Sequence, residues 1–386
     1  MSSNLRSLLP FYAVILLWGL GSGMLTPVLP LYVRSLGFTI DEWGYLVMVY
    51  AVSTFLFEWA WGALSDRVDR RFIIAAGLLS GAAVVPIYTL RVSITVFYVL
   101  QFLRGALFIM VGPAVKTLVS DMNSGGIGLS MGMYSSVRRL GSVLGPIAGT
   151  LVAQALSYES ALHLYSVIYV IGAATTLIFI RGAPASSERA DSSSLIQDCR
   201  TLFSTTTIVI LFAIPVIVHM GRAVIGSYLP IYALEVVGTS TVGVGALFSI
   251  GNVAGFLTTP VFGWISDRYS RATVVLTCFS LSSVAMFSLS LARTNVQLAL
   301  LLMIFTVCFS PLTPLLLAML TDATPPGLLG TSMGIYSTFE NLGIVFTPPL
   351  YSLIWKVYSP SIIFVFSAIT QVFGILLVFY ARKRLR

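Results

Sequence analysis

The amino-acid sequence predicts an all-α integral membrane protein: 12 transmembrane helices in two pseudo-symmetric six-helix bundles, with N- and C-termini cytoplasmic. Three observations predict it. Hydrophobic residues make up 57% of the 386 positions and charged residues 9%, against about 25% charged in an ordinary soluble domain. The charged turn SDRVDRR at Ser65–Arg71 returns as ISDRYSR at Ile265–Arg271, each time at the end of a long apolar run. Finally, GLSMGMYSSVRRLGSVLGP at Gly128–Pro146 aligns without gaps to GTSMGIYSTFENLGIVFTP at Gly330–Pro348, with ten of nineteen positions identical. Chance does not produce that, so the chain reads as a duplicated unit.

The elements follow from the thickness of the bilayer. A helix needs about 20 apolar residues to cross about 30 Å of hydrocarbon, and backbone amides in lipid must pair within the helix itself. Apolar runs place spans at roughly 8–33, 43–64, 72–90, 94–120, 128–156, 160–180, 205–234, 242–264, 272–292, 296–320, 330–356 and 360–381. The first is expected to be retained rather than cleaved, because it is long, contains Pro27 and Pro30, and meets no small-residue cleavage site. Leu29-Pro30-Leu31-Tyr32 recurs as Leu229-Pro230-Ile231-Tyr232, and Pro113 corresponds to Pro314. The Ala- and Ser-rich stretch Gly182–Asp198 reads as a flexible cytoplasmic linker. The expected organisation is therefore a bundle over 1–181, a linker over 182–203 and a second bundle over 204–386.

The net charge of +8 does not point to nucleic acid, because the basic residues sort by loop. With the N-terminus inside, the inner side holds Arg6, Arg67, Arg70, Arg71, Arg181, Arg189, Arg200, Arg268, Arg271, Arg382, Lys383, Arg384 and Arg386. The outer side holds Arg34, Arg91, Arg293 and Lys356, which is the positive-inside distribution. The three cysteines, Cys199, Cys278 and Cys308, form neither a disulfide framework nor a metal-ligand spacing. Nucleophile–base–orienter sets, metal clusters and nucleotide fingerprints are missing from the loops. The reading is thus not an enzyme, with no cofactor and no metal.

Gly62, Leu64, Ser65, Asp66, Arg67, Arg70 and Arg71 spell G-x-L-S-D-R-x-x-R-R, echoed by Gly263, Ser266, Asp267, Arg268 and Arg271. Gly141, Gly145, Pro146 and Gly149 meet G-x-x-x-G-P-x-x-G-G, with Thr150 in the last place. On these motifs, and on six helices repeated in the same orientation, the whole chain resembles the major facilitator superfamily, and within it the drug:proton antiporter branch. The resemblance implies a secondary transporter in the cell (plasma or inner) membrane, multi-pass and monomeric, with a small-molecule substrate and protons as partners. A carboxylate in so short a turn at the cytoplasmic helix ends can cap the next helix and bind an arginine. Gly62, Asp66, Arg67, Arg70, Arg71, Asp267 and Arg268 therefore read as a gating latch, with a topological anchor and helix cap as the alternative. The family's fourth-helix pattern R-x-x-Q-G is not met: Gln101 precedes Arg104 and Gly105, so the basic residue sits one turn later.

The glycines at 141, 145 and 149 fall every four residues and form one smooth stripe for close helix contact, with Pro146 bending the helix beside it. Ordinary tight packing and a water-tight seam between the halves are both open readings. Charges inside spans cost about 2.5–3.5 kcal/mol or more on insertion scales, so they face a polar cavity or a partner. They are Glu58, Arg104, Lys116, Arg138, Arg139, Arg222 and Glu340. Arg138 and Glu340 hold equivalent places in the repeats, about 16 Å deep. Arg138 shares the glycine stripe while Arg139 points about 100° away, so one of them is expected to meet the other half and one the cavity. Pairing of either arginine with Glu58 or Glu340 is the structural alternative. Glu340 and then Glu58 are the proton-coupling candidates. Arg138, Arg139, Arg104, Arg222, His219, Tyr134, Tyr336 and Gln101 are the substrate-cavity candidates.

The expected activity is proton-coupled export of small organic or drug-like compounds by alternating access. A rival is uptake or exchange of an organic anion, favoured by five basic against two acidic residues within the spans. A non-transporting sensor or scaffold is the remote alternative.

Overall fold

The computed structural model describes residues 2–65, 68–121, 127–180, 192–325 and 328–384. Every regular element among them is helical. The first repeat supplies α1 (Ser2–Ser35), α2 (Ile40–Ser65), α3 (Arg70–Ile87), α4 (Ile94–Phe108), α5 (Val111–Asp121), α6 (Ile127–Ala155) and α7 (Tyr158–Phe179). Then come α8 (Ser192–Ser204), α9 (Thr206–Ala223), α10 (Leu229–Glu235), α11 (Thr241–Arg268), α12 (Arg271–Leu289), α13 (Asn295–Phe309), α14 (Leu312–Ala323), α15 (Leu329–Val357) and α16 (Ile362–Arg384).

Ten helical segments among the described residues are long and apolar enough to cross a membrane. The expected spans at 128–156 and 330–356 form as the 29-residue helices α6 and α15 but are not among the ten. Arg138, Arg139 and Glu340, with the glycines and serines around them, dilute their apolar character.

Three apolar spans are interrupted, and prolines say where. A helical proline removes one amide donor and its ring crowds the carbonyl four residues earlier. Ile109, where α4 stops, lies four before Pro113, and Ser310, where α13 stops, lies four before Pro314. Gly226, four before Pro230, lies in a π-turn over Val224–Tyr228 that joins α9 to α10. The repeat shows in the turns as well. Gly37 and Gly238, one after each LPxY segment, adopt φ of +88° and +77°, a left-handed turn that glycine takes without steric cost.

The chain forms two compact units, Met1–Glu188 with Thr239–Ser249, and Arg189–Gly238 with Ile250–Arg386. In the first, α1 packs on α6 and α7, α3 on α7, and α2 on α4. In the second, α9 packs on α15 and α16, and α12 on α16 and α13. The pairing α1–α6 is thus repeated as α9–α15.

The glycine stripe of α6 is turned to α1 of its own unit. A Cβ on Gly145 would lie 2.7 Å from the Met24 nitrogen and 2.9 Å from the Gly23 carbonyl carbon, and one on Gly149 would lie 3.1 Å from the Met24 Cα. Gly19 and Gly23 return the contact: a Cβ on Gly23 would lie 3.1 Å from the Ser142 Cα and 3.0 Å from the Pro146 ring. The two backbones meet with no side chain between them, so close packing of α1 on α6 is what these glycines permit.

The start of α11 belongs to the first unit through polar contacts. The Val242 amide donates to Gln154 Oε1 (2.9 Å), Ser249 Oγ donates to the Val143 carbonyl (2.7 Å), and the Tyr158 and Thr241 hydroxyls lie 3.2 Å apart. Gly245 faces Thr150, whose hydroxyl donates back to the Pro146 carbonyl. The stretch read as a flexible linker is helical from Ser192 onward, as α8, because 192–204 has no proline or glycine to stop it.

Gly145→Val should lower stability by about 1–3 kcal/mol through overpacking against α1, while Gly132→Ala on the same helix, which meets open space, should be neutral. A thermal scan with a thiol-reactive dye checks this, since Cys278 and Cys308 are buried and react on unfolding.

Candidate functional site

Most of the proton-coupling and substrate-cavity candidates stand on α4 and α6 in the first unit and on α9 and α15 in the second. On α4, Gln101 is 2% exposed, and its Oε1 accepts from the Tyr88 hydroxyl (3.1 Å) and from Arg104 Nη1 (2.9 Å). Arg104 lies one turn beyond Gln101, so both side chains leave the same helix face. Its guanidinium also stacks 4.5 Å over the Tyr50 ring of α2. Tyr32 on α1 donates to the Tyr88 carbonyl (3.0 Å), which ties this network to the first helix. The motif departure noted above thus has a local use: the order Gln-x-x-Arg lets the amide hold the arginine from one turn before it.

Arg138 on α6 stacks its guanidinium 4.3 Å over Trp18 of α1. A cation over an indole face is held by the ring's quadrupole without cancelling its charge. Arg138 is thus held by α1 of its own unit. Its partner there is an aromatic ring because Gly19 lets the Arg138 backbone approach α1 and brings the side chain onto Trp18. Trp18 is held in turn by Tyr169, whose hydroxyl donates to the Trp18 carbonyl (3.2 Å) and lies 3.0 Å from Ser22 Oγ. Arg139 is half-buried beside it.

In the second unit the repeat places His219 where the first has Gly19, and Glu340 where it has Arg138. His219 is 6% exposed. Its Nδ1 lies 3.1 Å from the Pro215 carbonyl, and its Nε2 lies 4.0 Å from Glu340 Oε1. Gly343 makes room, since a Cβ there would lie 3.0 Å from the His219 Cβ. The carboxyl therefore points across the α9–α15 contact at an imidazole, and this pairing is not apparent from the sequence order. Tyr336, one turn before Glu340, is buried, as is Tyr134 at the equivalent place on α6. Arg222 is exposed, and Glu58 on α2 is half-buried.

The latch candidates divide. Asp66 and Arg67 lie outside the described residues, and Gly62 is within α2. Arg70 is buried to 1% exposure. Asp69 caps α3 by accepting the Arg71 amide (3.0 Å), and its carboxylate meets Arg71 Nε at 2.8 Å. In the second repeat Arg271 pairs with Asp322 at the end of α14, donates to the Ala318 carbonyl (3.3 Å) and reaches Asp267 (3.6 Å). Arg268 stacks 3.9 Å over Trp264 of its own helix. Asp322, near the end of α14, is thus the acid that joins α12 to α14. Its signal was the equivalent Asp121 in the first repeat.

Duplicated membrane-length helices with polar side chains held between them define a membrane transporter rather than an enzyme. The family description Major Facilitator Superfamily matches residues 11–255 and 211–386, and the chain belongs to that superfamily as a multi-pass plasma-membrane transporter. It is 24% identical to the multidrug resistance protein MdtG of Rahnella sp. (strain Y9602) over 380 residues, 96% of this chain and 92% of that one. It is also 24% identical to MdtG of Escherichia coli (strain SMS-3-5 / SECEC), over 94% of this chain and 91% of that one. Among solved structures, the nucleoside transporter NupG matches with a TM-score of 0.79 at 12% identity, covering 100% of both chains. A bacterial homologue of the human lysosomal transporter Spinster, inward-facing and unoccupied, matches with a TM-score of 0.80 at 12% identity, covering 99% of this chain and 98% of that one. At such identities the structural likeness concerns the fold.

Gln101→Leu leaves Arg104 and the Tyr88 hydroxyl without their shared acceptor. Thermal unfolding should show a loss of about 1.5–3 kcal/mol, the range for a hydrogen bond to a charged group, whereas Gln101→Glu, which keeps an acceptor oxygen, should retain most of the stability.

Proposed function

We propose that this transporter exports small, partly hydrophobic organic compounds in exchange for protons by alternating access. The observation that carries the reading is Glu340, a half-buried carboxyl on α15 set against the buried imidazole of His219. Ionisable groups are retained at such depth where they serve transport or meet a partner, and these two can exchange a proton with water as access changes. The two relatives named multidrug resistance protein, aligned over nearly the whole chain, support the cargo class. In this reading α6 and α15 cross the bilayer with the other ten spans to make twelve, both termini face the cytoplasm, bundles 1–181 and 204–386 rock as a monomer, and Glu58 is the second proton candidate.

Alternating access also needs contacts that form in one state and part in another. Gly62, Asp66, Arg67, Arg70 and Arg71 of the first repeat, with Asp267 and Arg268 of the second, serve as a cytoplasmic latch.

A second reading, exchange of an organic anion, is favoured by one specific observation. Arg104 and Arg138 are held by an amide and by aromatic rings, which position their charges without neutralising them.

Everted membrane vesicles with ethidium as the cationic probe and fluorescein as the anionic one separate the readings. The expected outcome is ethidium accumulation that collapses with the pH gradient, lost about tenfold or more in Glu340→Gln and less affected in Glu58→Gln. Gradient-driven movement of fluorescein alone would reverse the choice of cargo. Unchanged gradient dependence in both variants would remove the proton assignment.

A further inference from the structure

We infer that His219 and Glu340 hold one proton between them, with the imidazole as the positioning residue that sets when the carboxyl loads and releases. The inference rests on the proton-coupling reading above and names a second member of its site. A backbone carbonyl only accepts, so the 3.1 Å contact with the Pro215 oxygen requires a hydrogen on Nδ1. In a neutral ring that leaves Nε2 bare, as a lone pair directed at Glu340 Oε1, 4.0 Å away. An ionised carboxylate would then oppose one lone pair with another in a place from which water is largely withdrawn. One added proton, on Nε2 or on the carboxyl, turns that opposition into attraction, and an approach closer than the present 4.0 Å completes the hydrogen bond.

The charge balance is simple. With one proton the pair is neutral: imidazolium with carboxylate, or imidazole with carboxylic acid. Losing that proton to water leaves a net charge of −1. The groups around His219 come from each packed helix. On α9 itself Arg222 follows one turn later, and on α15 Tyr336 stands one turn before Glu340. On α16 the neutral Gln371 comes within 3.3 Å of where a Cβ on Gly221 would be, and Phe309 of α13 comes within 3.4 Å. The charged residue of α14, Asp322, is engaged with Arg271. Those of α8, Asp198 and Arg200, precede the first turn of α9.

The chain has two histidines, so His163→Gln leaves a single imidazole to observe. The experiment is nitrogen NMR of the full-length protein, labelled in histidine and held in lipid nanodiscs, across pH. The expected neutral form is the tautomer protonated on Nδ1. Its titration midpoint should move by about one pH unit or more in Glu340→Gln and return toward wild type in Glu340→Asp. In vesicles, His219→Gln should displace the pH profile of gradient-driven ethidium transport by a similar amount, which a merely structural role would not do. A neutral ring protonated on Nε2, or a midpoint that Glu340→Gln leaves in place, overturns the inference even if transport follows the gradient. A shared proton seen by NMR alongside transport that ignores the gradient instead overturns the coupling reading and leaves the pair standing.

Discussion

Polar groups within hydrocarbon have no water to turn to, so each must find its partner inside the bundle, and that constraint organises what this structure does with its charges. Gln101 gives both Tyr88 and Arg104 an acceptor. Trp18 gives Arg138 a ring face. His219 faces Glu340. The partners come from the same helix one turn away, from a packed neighbouring helix or, for Tyr88, from the turn that follows α3. A buried polar group left alone costs several kcal/mol, which is why these arrangements are specific and not interchangeable.

The second organising feature is how closely the helices approach. Without a hydrophobic drive between helices in lipid, association depends on van der Waals fit, and small residues supply it. Gly19, Gly23, Gly141, Gly145 and Gly149 bring α1 and α6 into backbone contact, and that closeness is what carries Arg138 onto Trp18. In the second unit the corresponding contact keeps Gly343 but has His219 where the first has Gly19. One duplicated frame therefore holds a glycine and an arginine in one copy, and an acid and a base in the other. Divergence at two equivalent positions converts a packing contact into a titratable one.

Prolines show the same economy. Breaks at Ile109 and Ser310 and the π-turn over Val224–Tyr228 fall where prolines four residues later obstruct the regular hydrogen bond. Yet Pro27, Pro30, Pro146 and Pro348 lie inside unbroken helices. Neighbours decide between the two outcomes: Pro146 lies where α1 and the start of α11 pack against α6, and such packing supports a helix through the lost bond.

By itself the sequence determined the helical membrane class, the duplication, the family and the list of charges that needed an explanation. Those follow from composition, from the length a helix needs to cross lipid, and from motifs read in order along the chain. Tertiary structure alone decided the partners. Arg138 and Glu340 are equivalent letters in the two repeats, but one meets an indole and the other an imidazole, because what they face lies more than a hundred residues away on another helix. The acid for Arg271 was similarly hidden, since Asp322 is fifty-one residues distant and becomes its neighbour only when α12 and α14 pack. Periodicity gives the face a residue occupies; what stands opposite that face is set by which helices come together.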